Sequence, residues 1–305
     1  MCFSLFGEWW IRTTFKEKTF SLPDGRRLGY CVVGEGKPVL YFHGTAGSRL
    51  EVLLLKDLAF SFGLRLIGVD RPGFGVSTFT ARKSLSGFAE DVDLLVEYLG
   101  FDRIAVLGWS GGGAFALGYV ALFPERVTKA VVVGAPALPF DAAAAHDSSF
   151  ARFIMKLPML GMLALRRMRA QVLRANADID GFLASKEGRN LLKSWSGADA
   201  RFFSDRAWLA LLYGSMAEAF RQGNQSVKAV LQEHMLFMKP WSVPLRRIPR
   251  GKVVVWQGSE DKTCRVDNAV RLGKEVPDAH VEIFSGKGHC VMFNNLEKLG
   301  EILRS

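Results

Sequence analysis

Two periodicities alternate along the first 135 residues. Short apolar runs at residues 38–42, 64–69, 104–107 and 130–133 have the length and composition of strands buried on both faces. Between them, apolar positions recur every three or four residues. In residues 85–99 the positions Leu85, Phe88, Val92, Leu95 and Leu99 share one helical face, with Ser84 or Ser86 available as the N-cap. Residues 49–61 and 110–122 also read as helices, the second ended near Pro124. Upstream, residues 15–22 and 27–33 read as strands joined through Pro23, Asp24 and Gly25, which are turn residues. The rhythm stops at Pro136. From there to Trp241 no stretch reads as a strand, and helical patterns rich in Phe, Met, Leu and Ala take over. Alternation resumes with a strand at 252–256, a helix near 267–274, a strand at 280–284 and a helix near 296–303. The pattern predicts an α/β fold with a mostly parallel eight-stranded sheet and helices on both faces. It divides the chain into a core at 1–135, a helical insertion at 136–245 and the rest of the core at 246–305.

Composition changes this picture little. The 305 residues are 49% hydrophobic and 23% charged, an ordinary globular balance. Cys2, Cys31, Cys264 and Cys290 form neither a CxxC pair nor a metal-ligand spacing, so reduced thiols and no metal are expected. Residues 1–10 lack a basic start and a long apolar run, unlike a signal peptide, and no stretch approaches the roughly 20 apolar residues that span a bilayer. A cytoplasmic location is therefore expected. The net charge of +10 comes without a zinc-finger spacing, an RNP-like motif or a long Lys/Arg block, which argues against nucleic acid as a partner. The basic residues matter most at 150–175, where Arg152, Lys156, Arg166, Arg167, Arg169 and Arg174 stud an apolar stretch containing Met155, Met159, Met162 and Met168. A flexible apolar lid is the favoured reading. Docking on an anionic membrane surface is a less favoured one, and a helix with one packed and one solvated face is a third.

Candidate chemistry centres on Gly108-Trp109-Ser110-Gly111-Gly112, a G-x-S-x-G pattern placed directly after an apolar strand and opening a helix. A strand-to-helix turn of this kind exposes a serine in strained backbone geometry, and its flanking glycines allow the close approach it needs. A serine nucleophile requires a base, and the base an orienting acid. Of the five histidines, His43 ends an early strand and reads as structural, His146 and His234 lie in the insertion, and His280 starts a strand at the far edge. His289 follows the last strand and so falls at the same sheet edge as Ser110. The run Val253 to Asp261 is a strand entering a turn on that edge, which offers Asp261, or less favourably Glu260, as the acid. The chain order is then Ser110, Asp261, His289.

Three more segments carry a family resemblance. The run from His43 to Ser48 resembles the HGxxGS loop of α/β hydrolases, that from Asp70 to Ser77 their DxPGxGxS loop, and Gly286-Lys287-Gly288-His289 their terminal GxGH. The resemblance covers residues 15–136 and 250–303, and implies the α/β-hydrolase sheet with the insertion as a cap. It implies that the backbone N–H groups of Thr45 and Gly111 form the oxyanion hole, and that no cofactor is needed. Relatives with an Asp nucleophile do not fit, because position 110 is Ser. Carbon–carbon bond hydrolases of this fold usually carry Trp after the histidine, where this chain has Cys290. Proline iminopeptidases read GGSWG, where this chain reads GWSGG, and the HGGG loop of some esterases is absent. The expected activity is hydrolysis of a small carboxylic ester through an acyl-serine, with short to medium acyl chains favoured. A receptor-like binding protein, an acyltransferase or perhydrolase, and a C–C bond hydrolase remain as alternatives. The oligomeric state is not readable from the sequence.

Overall fold

A computed structural model of the chain describes residues 18–81, 84–140, 158–194 and 197–305. Cys2, His146, the first three residues of the expected strand at 15–22 and the part of the basic stretch before residue 158 lie outside the described residues. Eight strands form one sheet: β1 (Lys18–Ser21), β2 (Arg27–Val33), β3 (Lys37–Phe42), β4 (Leu64–Val69), β5 (Ile104–Trp109), β6 (Val127–Val133), β7 (Val253–Gly258) and β8 (His280–Phe284). Their spatial order is β1-β2-β4-β3-β5-β6-β7-β8. The pairs β1–β2 and β2–β4 are antiparallel and all later pairs are parallel, from β3–β4 through β7–β8.

The apolar runs are strands buried on both faces, and alternate residues feed two separate cores. Leu40, Phe42, Val106, Val132 and Val255 pack on one side with α2 (Leu85–Tyr98), α3 (Gly111–Leu122) and α10 (Val266–Glu275). Val39, Tyr41, Leu107, Val133 and Trp256 pack on the other with α1 (Lys56–Phe62) and α11 (Leu296–Arg304). Ser84 caps α2, accepting from the Gly87 N–H at 3.0 Å. The helix expected at 49–61 differs from expectation in its first half, where Arg49–Leu55 is a 3-10 turn. Asp70 draws that turn inward: its Oδ1 accepts from the Arg49 N–H and its Oδ2 from the Arg49 guanidinium, both at 2.7 Å.

Between β6 and β7 the described residues contain no strand. They form α4 (Pro158–Ala177), α5 (Ile179–Ala184), α6 (Lys186–Ser194), α7 (Ala200–Ser204), α8 (Arg206–Ala219) and α9 (Asn224–Phe237). Asp178 and Asp205 cap α5 and α8. Leu165, Val172, Phe203, Leu209, Tyr213 and their neighbours make a third core that also takes in Ala46 and Phe74 from loops of the sheet domain. Helix α4 buries Leu165, Val172 and Ala175, while Met159, Leu160, Leu163, Arg166, Arg167 and Arg174 stay exposed. Among the described residues no helix is long and apolar enough to cross a membrane.

Candidate active site

Strand β5 enters the turn at Ser110, whose N–H donates to the Val133 carbonyl of β6 at 2.8 Å. Ser110 has φ 53° and ψ −130°, a conformation that costs strain for any residue with a side chain. Helix α3 begins at the next residue, so the reversal is confined to this one position. It needs bare backbone around it. A Cβ on Gly112 would lie 2.1 Å from the Phe42 carbonyl oxygen and 2.5 Å from that of His43, and one on Gly108 would meet the Ala116 Cβ at 2.7 Å. The first turn of α3 therefore presses directly on the end of β3, with its N-terminal N–H groups and dipole beside Ser110.

The loop after β3 lies against this turn. A Cβ on Gly44 would sit 3.6 Å from the Ser110 Cβ, and one on Gly111 would sit 2.1 Å from Thr45 Oγ1, so Thr45 and Gly111 abut. Arg71, fully buried, fixes the loop from below. Its Nη1 donates to the His43 carbonyl and its Nη2 to the Gly44 carbonyl at 3.0 Å, and Glu233 of α9 accepts from Arg71 Nε at 2.6 Å. His43 Nδ1 lies 2.8 Å from the same Gly44 oxygen, in keeping with a structural role. In a trans peptide the C=O and N–H point opposite ways. Anchoring the Gly44 carbonyl thus turns the Thr45 N–H away from Arg71. Neither the Thr45 nor the Gly111 N–H has an acceptor among the described residues.

His289 lies in the loop after β8 and is 4% exposed. Its Nδ1 is 2.8 Å from Asp261 Oδ2. Because a carboxylate only accepts, Nδ1 carries the proton and Nε2 is the acceptor of the neutral ring. Asp261 also accepts from Gln257 Nε2 at 2.9 Å and, through Oδ1, from the N–H groups of Thr263 and Cys264 at 2.7 and 2.9 Å. Glu260 is exposed, and among the described residues its N–H donates to the Lys287 carbonyl while its carboxylate makes no hydrogen bond to His289. Of the two candidate acids the fold therefore pairs Asp261 with the histidine. The turn and the loop are joined through Trp109, whose Nε1 donates to the His289 carbonyl at 3.1 Å and whose ring lies 5.5 Å from the imidazole. Burial pulls the His289 pKa down, but the charge and hydrogen bond of Asp261, then Asp199 and Glu51, more than offset it and leave it raised.

Sequence reasoning passed over four residues here. Gln257 and Arg71 are described above. Asp199, from a 3-10 turn (Gly197–Asp199) of the insertion, accepts the N–H groups of His289 and Cys290, each at 2.9 Å. Glu51 is buried behind the loop after β3, accepting from the Gly44 N–H at 2.7 Å and the Tyr41 hydroxyl at 2.8 Å. Burial pushes its carboxyl up to about 7. Arg71 lies inside the DxPGxGxS segment and could have been singled out there. The other three carry no local signal. Among the described residues no group of three or more His, Cys, Asp or Glu could hold a metal ion. Cys31, Cys264 and Cys290 are buried free thiols.

The sheet order, the turn at Ser110 and the paired acid and histidine define a class, and the α/β hydrolase fold matches residues 37–296. The chain belongs to the α/β hydrolase family. It is 24% identical over 276 residues to a 2-hydroxy-6-oxo-6-phenylhexa-2,4-dienoate hydrolase of Burkholderia cepacia, covering 88% of this chain and 87% of the relative. It is 27% identical over 304 residues to a proline iminopeptidase of Xylella fastidiosa, covering 91% of each. Among solved structures an esterase from Exiguobacterium antarcticum superposes with a TM-score of 0.68 at 18% identity, over 94% of this chain and 98% of that one.

Proposed function

We propose that this hydrolase cleaves carboxylic esters, with Ser110 as nucleophile, His289 as general base and Asp261 as the residue that orients it. The observation that carries the reading is the 2.8 Å pair of Asp261 and His289 at the sheet edge where Ser110 occupies its strained turn. In this reading the Ser110 proton passes to His289 Nε2 as Oγ attacks the ester carbonyl. The resulting oxyanion faces the N–H groups of Thr45 and Gly111. Collapse expels the alcohol, which takes the proton from His289, and leaves an acyl-serine. Water, deprotonated by the same imidazole, then releases the acid and restores Ser110. Asp261 stabilises the imidazolium formed in both halves.

The helical insertion, as an apolar cap, favours short to medium acyl chains of roughly C4 to C8, since each buried methylene contributes about 0.8 kcal/mol while room lasts. A p-nitrophenyl ester series from acetate to palmitate tests this through kcat/KM. Butyrate or hexanoate should exceed acetate, and palmitate should fall. A steady rise to palmitate, with salt-sensitive binding to anionic liposomes, would instead make the basic face of α4 a membrane contact.

A second reading, C–C bond hydrolysis, is favoured by the similarity to the B. cepacia dienoate hydrolase, and Cys290 where such enzymes usually have Trp weighs against it. A 2-hydroxy-6-oxo-dienoate assayed beside the esters separates the two. Labelling of Ser110 by a fluorophosphonate with no turnover of either substrate would favour a binding protein.

A further inference from the structure

We propose that Asp199, contributed by the helical insertion, is a positioning residue that seats the loop of His289, which makes the insertion part of the reaction machinery. The proposal rests on the reading of Ser110, His289 and Asp261 given above.

Asp199 ends the 3-10 turn and is 1% exposed. It forks across two consecutive amides: Oδ2 accepts from the His289 N–H and Oδ1 from the Cys290 N–H, both at 2.9 Å. His289 is thereby held at both ends, its ring by Asp261 and its backbone by Asp199. Asp199 comes from within the insertion and Asp261 from the turn after β7, so the two carboxylates reach the histidine independently. A carboxylate suits this place for a reason of donor count. Two N–H donors need two acceptors, and an Asn would offer one oxygen and turn its own N–H₂ towards the second donor, leaving a buried amide unpaired.

The charge has a second consequence. Three acidic groups face His289 from three directions: Asp261 after β7, Asp199 from the insertion and Glu51 from the 3-10 turn at Arg49–Leu55. Burial of the ring favours its neutral form, and these three oppose it, Asp261 most, then Asp199, then Glu51. Among the described residues this loop also has near it the Cys290 thiol, which burial holds protonated, Arg201, whose Nη2 donates to the Phe293 carbonyl at 3.4 Å, and Lys287, whose carbonyl accepts from the N–H of the exposed Glu260. Removing the Asp199 charge should therefore make His289 easier to deprotonate, while loosening the loop makes it a worse base in place. The two effects separate in experiment: the first moves a pH profile, the second lowers kcat.

The test is Asp199→Asn in the full chain. We expect a folded protein in which KM for a p-nitrophenyl ester stays within about threefold while kcat falls by about 10²-fold, the scale of a 1 Å misplacement. The acid limb of kcat/KM should move to lower pH, and the His289 ring titration, followed by NMR without substrate, should move the same way. A folded Asp199→Asn protein with unchanged kcat and an unmoved His289 titration would overturn the proposal. So would a fall in stability with the titration unmoved, because Asp199 would then only brace the fold. If Asp199→Asn does not fold, Asp199→Ser, which removes the charge and one acceptor with less bulk, is read by the same criteria. Failure of the ester reading is visible separately. It would appear as no turnover of p-nitrophenyl esters by the wild type, and the His289 titration would still decide whether Asp199 acts on the histidine.

Discussion

The turn that carries Ser110 is built by its neighbours, whereas the loop that carries His289 is held from far along the chain. At the turn, geometry follows from Gly108, pressed on the start of α3, and Gly112, pressed on the Phe42 and His43 carbonyls, and from one hydrogen bond to β6. At the loop, the restraints come from Asp261, Asp199 and Trp109, residues distant in sequence that meet only in the folded chain. The first region is a steric construction and the second an electrostatic one. They should therefore fail differently: the turn through clashes and strain that are indifferent to pH, the loop through lost charges whose effect is graded by pH.

Four tests probe that contrast. The largest effect belongs to the proposed nucleophile. Ser110→Ala should lower kcat by on the order of 10⁶ with an unchanged thermal melt, and residual turnover above a few per cent in a purified sample would remove Ser110 from its assigned role. Next, Asp261→Asn should cost about 10⁴ in kcat by favouring the wrong imidazole tautomer, while Glu260→Gln, exposed and unpaired with the ring, should stay within about twofold. Equal losses in the two variants would break the electrostatic account of the loop. Third, Gly112→Ala places a methyl against the Phe42 and His43 carbonyls, and should destabilise the fold by roughly 3 kcal/mol as overpacking does. Urea unfolding should give the same loss at pH 5 and pH 8. A loss that changed with pH would mean the turn is not purely steric.

The fourth and smallest effect concerns Glu51. Its folded pKa of about 7 lies above the usual carboxyl value of 4.5. Its contribution to stability is thus fully present below the unfolded value and is lost as pH rises through 7. Glu51→Gln keeps an acceptor for the Gly44 N–H and removes the titration. At pH 8 it should be more stable than the wild type by about 2 kcal/mol, with the gain vanishing near pH 4. A gain of equal size at both pH values would show that the buried charge is not its source.

Much of the sheet was legible. β2, β4 and β8 have the bounds expected of them: β2 and β4 are largely buried apolar runs that end at turn residues, and β8 is a short edge strand with no buried residue. β6 begins earlier than expected, at Val127, because Thr128 and Lys129 are polar and only half-buried. The Ser110 turn was legible for the reason given above: its determinants are local. Asp199 was not, since its partners are backbone amides, which every residue possesses. Glu51 was not, since a sequence does not distinguish a buried carboxylate from a solvated one. The choice between Asp261 and Glu260 needed the fold as well, as adjacent residues of one turn point to opposite surroundings.

The salt bridge between Arg71 and Glu233, both fully buried, has a consequence for how such a chain can be inherited. Ser48 with Ser215, and Arg49 with Glu218, span the same division between sheet and insertion. A recombinant that joined this sheet at residues 136 and 245 to helices with no acid at the place of Glu233 would set Arg71 in a dry interior without its carboxylate, at a cost of about 3–5 kcal/mol. The splice points drawn by secondary structure are therefore not neutral crossover points. Insertions can be exchanged among descendants of this chain only if an acid arrives where Glu233 stood, so sheet and helices must change together.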